Sequence, residues 1–517
     1  MKKILFTFCL ILLVKLSIGQ KLVASSQLFK NEEHPIPLKN LGSDNDFFYF
    51  LMGKGDNLKV EKFSKDSLNR VYSKDISLDK ERDVKLKDAF FVNGSSLVFR
   101  QDYDGTAEQI TLFMQVVKDD GKVESDLKEI FSFKSKLKRY YYDSHSKVWD
   151  NLIYYHFSLS PDKNYLAIIA EEYFWDGRDM NFKKIHLKYL NTQKHNIVLE
   201  KTIPMQYETT KVHPWNYKID NSQNVYFCMN YYNQENKLQY AIGSVTKDGS
   251  SIIAMDHVLN TARHAYFDMD YVIDSSVIFS SLLYSTVPPD RYGNDKNYTR
   301  FMGLSTSCFN LSDYKLISSD SAHFSDEMIK RIYKNRFNKI DGYYRISGIT
   351  AVKGNYYTIV SEDRLKMKGS IIVFKNGLDN KIKWSRLLFR EYEVDPYDYD
   401  SKDYIHFVNT ANNISIIYGE NKSAIKIRTE ELSLKKSNAT SEGNASLVCA
   451  TIDSDGNIER KTLLNSKLNT VYHVDRKGIE VDRFVNYSKI MIKDNEQNYI
   501  FFFAKKNKFQ FHKFSFK

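Results

Sequence analysis

Residues 212–259, VHPWNYKIDNSQNVYFCMNYYNQENKLQYAIGSVTKDGSSIIAMDHVL, read as four short strands, and variants of this unit recur along the whole chain. The first strand is 213–219 and the turn after it is Asp220–Gln223. The second, 225–230, is almost wholly apolar or aromatic; a polar loop, 231–237, leads to the third, 238–245. A Lys247-Asp248-Gly249 turn then delivers the fourth, 251–255. Aspartate-glycine between strand-like runs is a strong hairpin signal, because glycine accepts the positive φ of a tight twisted turn. A small sheet that repeats in this way has to stack on its own copies to bury its faces, which restricts the fold more than composition does.

The first hairpin of the unit occurs eight times, with turns near 42–46, 93–94, 161–164, 220–223, 274–276, 353–355, 411–413 and 494–498. The strand after each turn is FFYFLM, SLVF, YLAIIA, VYFCM, VIFSSLL, YYTIV, ISIIY or YIFFF. Strands apolar on both sides belong inside a sheet covered on both faces. The second hairpin recurs at 58–73, 110–124, 184–200, 238–254, 302–319, 369–384 and 445–461. The eighth copy stops after a third strand, KFQFHKFSFK (508–517), and KLVASSQLF (21–29) is otherwise without a partner. If 21–29 supplies the missing strand, the ring closes and no edge is left exposed.

The fold expected is therefore all-β: residues 20–517 form one β-propeller domain of eight four-stranded blades, its last blade closed by the N-terminal strand. Seven blades with one degenerate hairpin is the alternative. One helix signal, 325–337 (SDEMIKRIYKNRF), reads as an insertion between blades five and six.

The abundance of tyrosine (36) and phenylalanine (34) over proline (8) favours β-structure. The formal charge is +11, from 75 basic and 64 acidic residues interleaved almost everywhere. Such a diffuse excess is a solvated surface or, as a weaker reading, an affinity for acidic glycans or anionic membranes. There is no concentrated basic stripe of the kind that binds nucleic acid. Lys2 and Lys3, the apolar run 4–14 and the small residues Ser17 and Gly19 form a signal peptide, 1–19, so the mature chain is periplasmic, extracellular or on the cell surface. The run is too short to span a bilayer, and no later stretch is long enough. The three cysteines of the mature chain, Cys228, Cys308 and Cys449, are widely spaced and do not make a disulfide scaffold, and no catalytic thiol is expected.

Residues 342–517 resemble the C-terminal half of an uncharacterised family of exported proteins common in Bacteroidota. The resemblance is carried by GYYRISGI (342–349), IVSED (359–363), GSIIVFKNGLDNKIKW (369–384), HFVNTANNISIIYGENK (406–422) and SLVCATIDSDGNIERKTLL (446–464). It implies fold and compartment and carries over no catalytic residue.

In an antiparallel meander the hairpin turns share one face of the disc, and the remaining loops share the other. Here the hairpin turns are short, whereas the opposite loops are long, aromatic and charged, so that face is the candidate binding surface. Its ligand-binding candidates are Tyr173, Trp175, Arg178, His213, Trp215, Arg291, Tyr292 and Tyr397. Rings beside charges suit a glycan, a peptide or a partner protein; alternatively these rings pack blade against blade. A propeller enzyme acting on glycans, hydrolase or lyase, is the rival, with Asp179, Asp290 and Asp398 as its carboxylates. A structural subunit of a surface assembly is a third reading. Asp453-Ser454-Asp455-Gly456-Asn457 resembles the start of a calcium loop or is an ordinary turn. Asp395, Asp398, Asp400 and Asp403 form an acidic loop. His264, Asp268 and Asp270 form an acid–base group in the channel or a polar strand edge. FKNGLDNKIKW (374–384) has a faint likeness to blades of quinone-cofactor propellers, but its tryptophan does not recur, so no cofactor is expected. No metal motif is present either.

Overall fold

A computed structural model describes residues 21–30, 36–54, 57–77, 83–124, 126–139, 147–149, 151–175, 180–204, 213–232, 238–257, 265–285 and 301–323. It further describes 342–364, 367–377, 379–388, 392–393, 405–409, 413–421, 445–464, 491–494, 498–505 and 508–516. These residues form eight four-stranded antiparallel blades in a ring: the chain is an eight-bladed β-propeller. Blades one to seven span 36–77, 83–134, 151–204, 213–256, 265–323, 342–388 and 406–464, and within each the strands follow one another in chain order. Every connection inside a blade is therefore a hairpin.

Blade eight closes as the incomplete last copy requires. Lys508–Ser515 pairs with Asn498–Lys505 on one side and with both Lys21–Ser25 and Phe29–Lys30 on the other. Lys21 lies opposite Ser515 and Phe29 opposite Phe509. Ser26 carries the pairing across the bend: its N–H donates to the Phe511 carbonyl (2.9 Å), and its Oγ accepts from the Phe511 N–H (3.0 Å).

The strand register explains the apolar runs. Along Tyr165–Trp175, Ala167, Ile169 and Tyr173 face blade four, whereas Leu166, Ile168 and Ala170 face blade two. Side chains alternate across a strand, so a strand sandwiched between two neighbours has to be apolar on both sides. The described residues form eight apolar clusters, one in each seam between blades, including the cluster of Phe29, Phe48, Phe50, Phe63, Phe502, Phe509 and Phe511 that joins blade eight to blade one. In blade four, Phe227 lies opposite Gly243, where a Cβ would stand 2.5 Å from its ring. The glycine is what lets the ring lie flat across the sheet.

The fourth strand of blade two differs from the sequence reading, which placed it within 110–124. Residues 118–122 close a turn instead, Gly121 N–H to Lys118 carbonyl (2.8 Å), and only Val123 bridges back to Val117. The fourth strand is Lys128–Lys134, which buries Ile130 and Phe131; 122–124 offers a single apolar side chain to the seam. Between blades two and three, Leu137–Arg139 pairs with Lys147–Trp149 in a small ribbon. The helix expected at 325–337 and the signal peptide lie outside the described residues.

Candidate functional site

The short-turn face is stitched together by its own polar groups. Among the described residues, in four blades an N–H of the second hairpin turn donates to a carbonyl of the first: Lys65 to Asp46 (2.8 Å), Asp119 to Gly94 (2.9 Å), Thr192 to Asn164 (3.1 Å) and Leu311 to Ser276 (2.8 Å). In blade four the Asn224 side chain accepts the same bond from Lys247 N–H (3.0 Å). Outer-strand cations then reach turn carbonyls of the next blade. Lys128 Nζ donates to His195 (3.3 Å), Lys201 Nζ to Gly249 (2.8 Å) and Arg386 Nε to Gly456 (2.7 Å). Each of these part-buried contacts gives a turn carbonyl a donor from the neighbouring blade, and together they stabilise the ring.

The calcium-loop reading of 453–457 gives way to the turn. Asp453 Oδ1 accepts from the N–H groups of Asp455 (2.9 Å) and Asn457 (2.8 Å), and its Oδ2 accepts from Asn457 Nδ2 (2.8 Å). The carbonyl of Ser454 is taken by the Trp384 indole of blade six (3.1 Å). Trp384 thus serves a seam.

Around the channel, polar side chains link the innermost strands. Lys39 of blade one pairs with Asp88 of blade two. Ser158 Oγ of blade three accepts from Ile219 N–H of blade four (3.1 Å). Asn409 Nδ2 of blade seven donates to Thr350 Oγ1 of blade six (2.6 Å). Among the described residues, five innermost strands carry bulges, after Pro37, Leu86, Trp215, Ala265 and Ile346. A bulge re-aims the side chains beside it, and these place several of the linking residues. Asp268 and Asp270 belong to this set, each tied to a different neighbour. Asp268 Oδ2 accepts from Ile346 N–H of blade six (2.5 Å); Asp270 Oδ1 accepts from Asn216 Nδ2 (2.5 Å) and Lys218 Nζ (3.1 Å) of blade four. They staple blade five to both sides, as a polar strand edge; His264 lies outside the described residues. Burial raises the Asp268 carboxyl to about 7, with repulsion from Asp270 adding to it, against the Ile346 N–H and Arg345.

On the opposite face, Tyr173 is 5% exposed. Its phenol donates to Glu171 (3.0 Å), and its ring meets Tyr154 edge-on at 5.4 Å in the blade three–four packing. Trp215 is half-buried between blades four and five, its indole N–H donating to the Met269 carbonyl (3.2 Å). Both rings have packing roles. The backbones of Trp175 and His213 end strands at this rim. Arg178, Asp179, Asp290, Arg291, Tyr292, Tyr397 and Asp398 lie outside the described residues, as does the acidic loop around Asp398.

The structure adds a pair that no sequence motif marks, Glu171 and Glu172, set within an otherwise apolar strand. Glu171 turns toward blade four and accepts from Tyr217 Oη (2.7 Å) as well as Tyr173, with His156 Nε2 at 3.2 Å. Glu172 turns toward blade two and gathers Lys183, Lys184 and His186. Two adjacent acids in a two-sided buried strand signal built polar partners on both faces, since a buried carboxylate has to be paired.

No family model and no curated protein sequence matches the chain. Among solved structures it is similar to a prolyl endopeptidase, at 10% identity and a TM-score of 0.36, covering 86% of this chain and 47% of that one. It thus spans about half of that enzyme's length. It is also similar to the Dos1 propeller, at 9% identity and a TM-score of 0.43, covering 93% of this chain and 96% of that one. The β-propeller domain of the Trilobed protease from Pyrococcus furiosus gives 9% and 0.34, with 88% and 98% covered. Strand pairing and the eight seams decide the fold.

Cys228 and Cys449 belong to seam clusters, Cys308 is buried in blade five, and none of the three forms a disulfide. Burial pushes the Cys308 and Cys449 thiols up to about 11. A thiol held protonated is a poor nucleophile. No described helix is long and apolar enough to cross a membrane.

Proposed function

We propose that this chain is an exported, non-catalytic recognition module, of the Bacteroidota family its C-terminal third resembles, binding a glycan, peptide or partner protein through the face opposite its short turns. The observation that supports this reading is the chemical difference between the two ends of the blades. At the short-turn end, carbonyls and N–H groups are engaged within and between blades. At the other end, the strands Tyr165–Trp175 and Met180–Asn191 form a ribbon that presents Phe174, 42% exposed, and Lys183, 51% exposed. Rigid scaffolds of this kind hold variable loops, and recognition resides there.

The test is a screen of the purified mature chain, residues 20–517, against arrays of acidic and neutral glycans, with product analysis of each hit. Binding of an unchanged ligand supports the module. Turnover replaces it with the glycan-acting enzyme and directs attention to Asp179, Asp290 and Asp398. Silence across the array moves the reading to a protein partner or a surface assembly. Export is tested separately, by N-terminal sequencing of the mature protein, with a start at Gln20 expected.

A further inference from the structure

The strand Tyr165–Trp175 pairs with Met180–Asn191, and the register slips by one residue between Glu172↔Lys184 and Tyr173↔Phe182. Lys183 is the extra residue of this bulge. In an unbroken strand Lys183 and Lys184 would point to opposite faces. The bulge turns both to the blade-two side, where each ammonium takes a different oxygen of one carboxylate. Lys183 Nζ lies 3.3 Å from Glu172 Oε1, and Lys184 Nζ lies 3.2 Å from Oε2. His186 Nε2 is also 3.0 Å from Oε2, while its Nδ1 lies 3.0 Å from Thr202 Oγ1.

Burial works to raise the Glu172 carboxyl, but hydrogen bonds from His186, Lys184 and Lys183 outweigh it and hold the group at about 2. At neutral pH one carboxylate therefore faces two ammonium groups, a positive surplus among these described side chains. Depth separates the two signs. Glu172 is 7% exposed, whereas Lys184 is 31% and Lys183 51% exposed, so the anion lies beneath and the cations open to solvent. Two residues along the same face of the strand stands Phe174, a ring 42% exposed. Ring and cations thus lie close together on one ribbon.

We propose that Phe174, Lys183 and Lys184, mounted on Glu172, form a subsite for a carboxylate-bearing sugar. The proposal rests on the recognition reading above and names its ligand class. The apolar face of the sugar ring stacks on Phe174, as pyranose faces do on aromatic rings. Its carboxylate binds the two ammonium groups, each of which is already placed by a different oxygen of Glu172. Each ammonium has three donors and spends one on Glu172.

The test is titration calorimetry of the mature chain with a tetramer of galacturonic acid, with the neutral galactose tetramer and inorganic sulfate as comparisons. The uronate is expected to bind, more weakly as salt rises. Phe174→Ala and Lys183→Ala should each raise its Kd at least tenfold, the first with an unchanged thermal midpoint, and Lys183→Arg should retain most of the affinity. Uronate binding that both alanine variants leave intact overturns the site and leaves the recognition module standing. Preference for the neutral tetramer overturns the acidic class, and sulfate binding as tightly as the uronate overturns the sugar. Absence of binding to any glycan on the array and to the uronate overturns this proposal together with the glycan branch of the recognition reading.

Discussion

Phe29→Ala removes the ring that the closing N-terminal segment carries into the seam between blades eight and one. Phe29 is 6% exposed; it stacks on Phe509 at 4.9 Å and meets Phe63 of blade one edge-on at 5.6 Å and Phe511 at 6.2 Å. Truncating a buried phenylalanine costs about 3–5 kcal/mol, part of it from the cavity left behind. The upper half of that range applies here, because the surrounding rings are fixed by Phe48, Phe50 and Phe502 and cannot close the gap. For a chain of this length the unfolding entropy is roughly 1 kcal/mol per kelvin, so the melting midpoint should fall by about 4 °C. The assay is equilibrium unfolding in urea followed by circular dichroism, with Leu28→Ala as control. Leu28 is 54% exposed on the same segment, and its truncation should cost less than about 0.5 kcal/mol. If the two variants lose the same stability, the N-terminal segment does not hold the ring shut and the closure argument is wrong.

Three further outcomes follow from particular contacts. The Asp268 carboxyl sits near 7 in the folded chain against about 4 in the unfolded one, so the folded state holds the extra proton between these values. Its contribution to stability is present below pH 4 and is lost as pH rises through 7; Asp268→Asn should therefore be more stable than the parent at pH 8 by up to a few kcal/mol and equal to it near pH 4, read from urea midpoints at both. Glu172 has the opposite sign: held at about 2, it stabilises above its unfolded pKa and loses that as pH falls toward 2. Glu172→Gln should cost on the order of 3 kcal/mol at pH 7 and little at pH 2, and an equal cost at both would show that charge is not the cause. Gly243→Ala places a Cβ against the Phe227 ring and should cost about 1–3 kcal/mol in thermal or urea unfolding, with Phe227→Leu in the same chain recovering part of the loss; a neutral Gly243→Ala would mean the sheet yields there without strain.

The blade count, the turn positions and the closing segment were legible because they follow from local alternation. A strand between two neighbours is apolar on both sides, and a hairpin turn needs residues that tolerate positive φ, as Asn93 and Gly94 do. Where local signals competed, legibility failed. The KDDGKVE stretch offers a good turn and a poor seam strand, so blade two takes Lys128–Lys134 instead. Tyr173 and Trp215 illustrate the limit for the candidate site: an aromatic at the end of a strand reads the same whether it packs on the next blade or faces a ligand.

By itself the sequence determined that this chain repeats one four-stranded unit, that the last copy lacks a strand and that residues near the start can supply it. Only the tertiary structure decided which polar residues meet. Asp268 reaches blade six across 78 positions, and Asp270 reaches back to blade four across 52 and 54. Lys183 and Lys184 share Glu172 only because a bulge breaks the alternation that sequence periodicity assumes. Burying an apolar face requires only a pattern, which a sequence carries locally; pairing a charge requires a particular partner at about 3 Å, and ring closure chooses it.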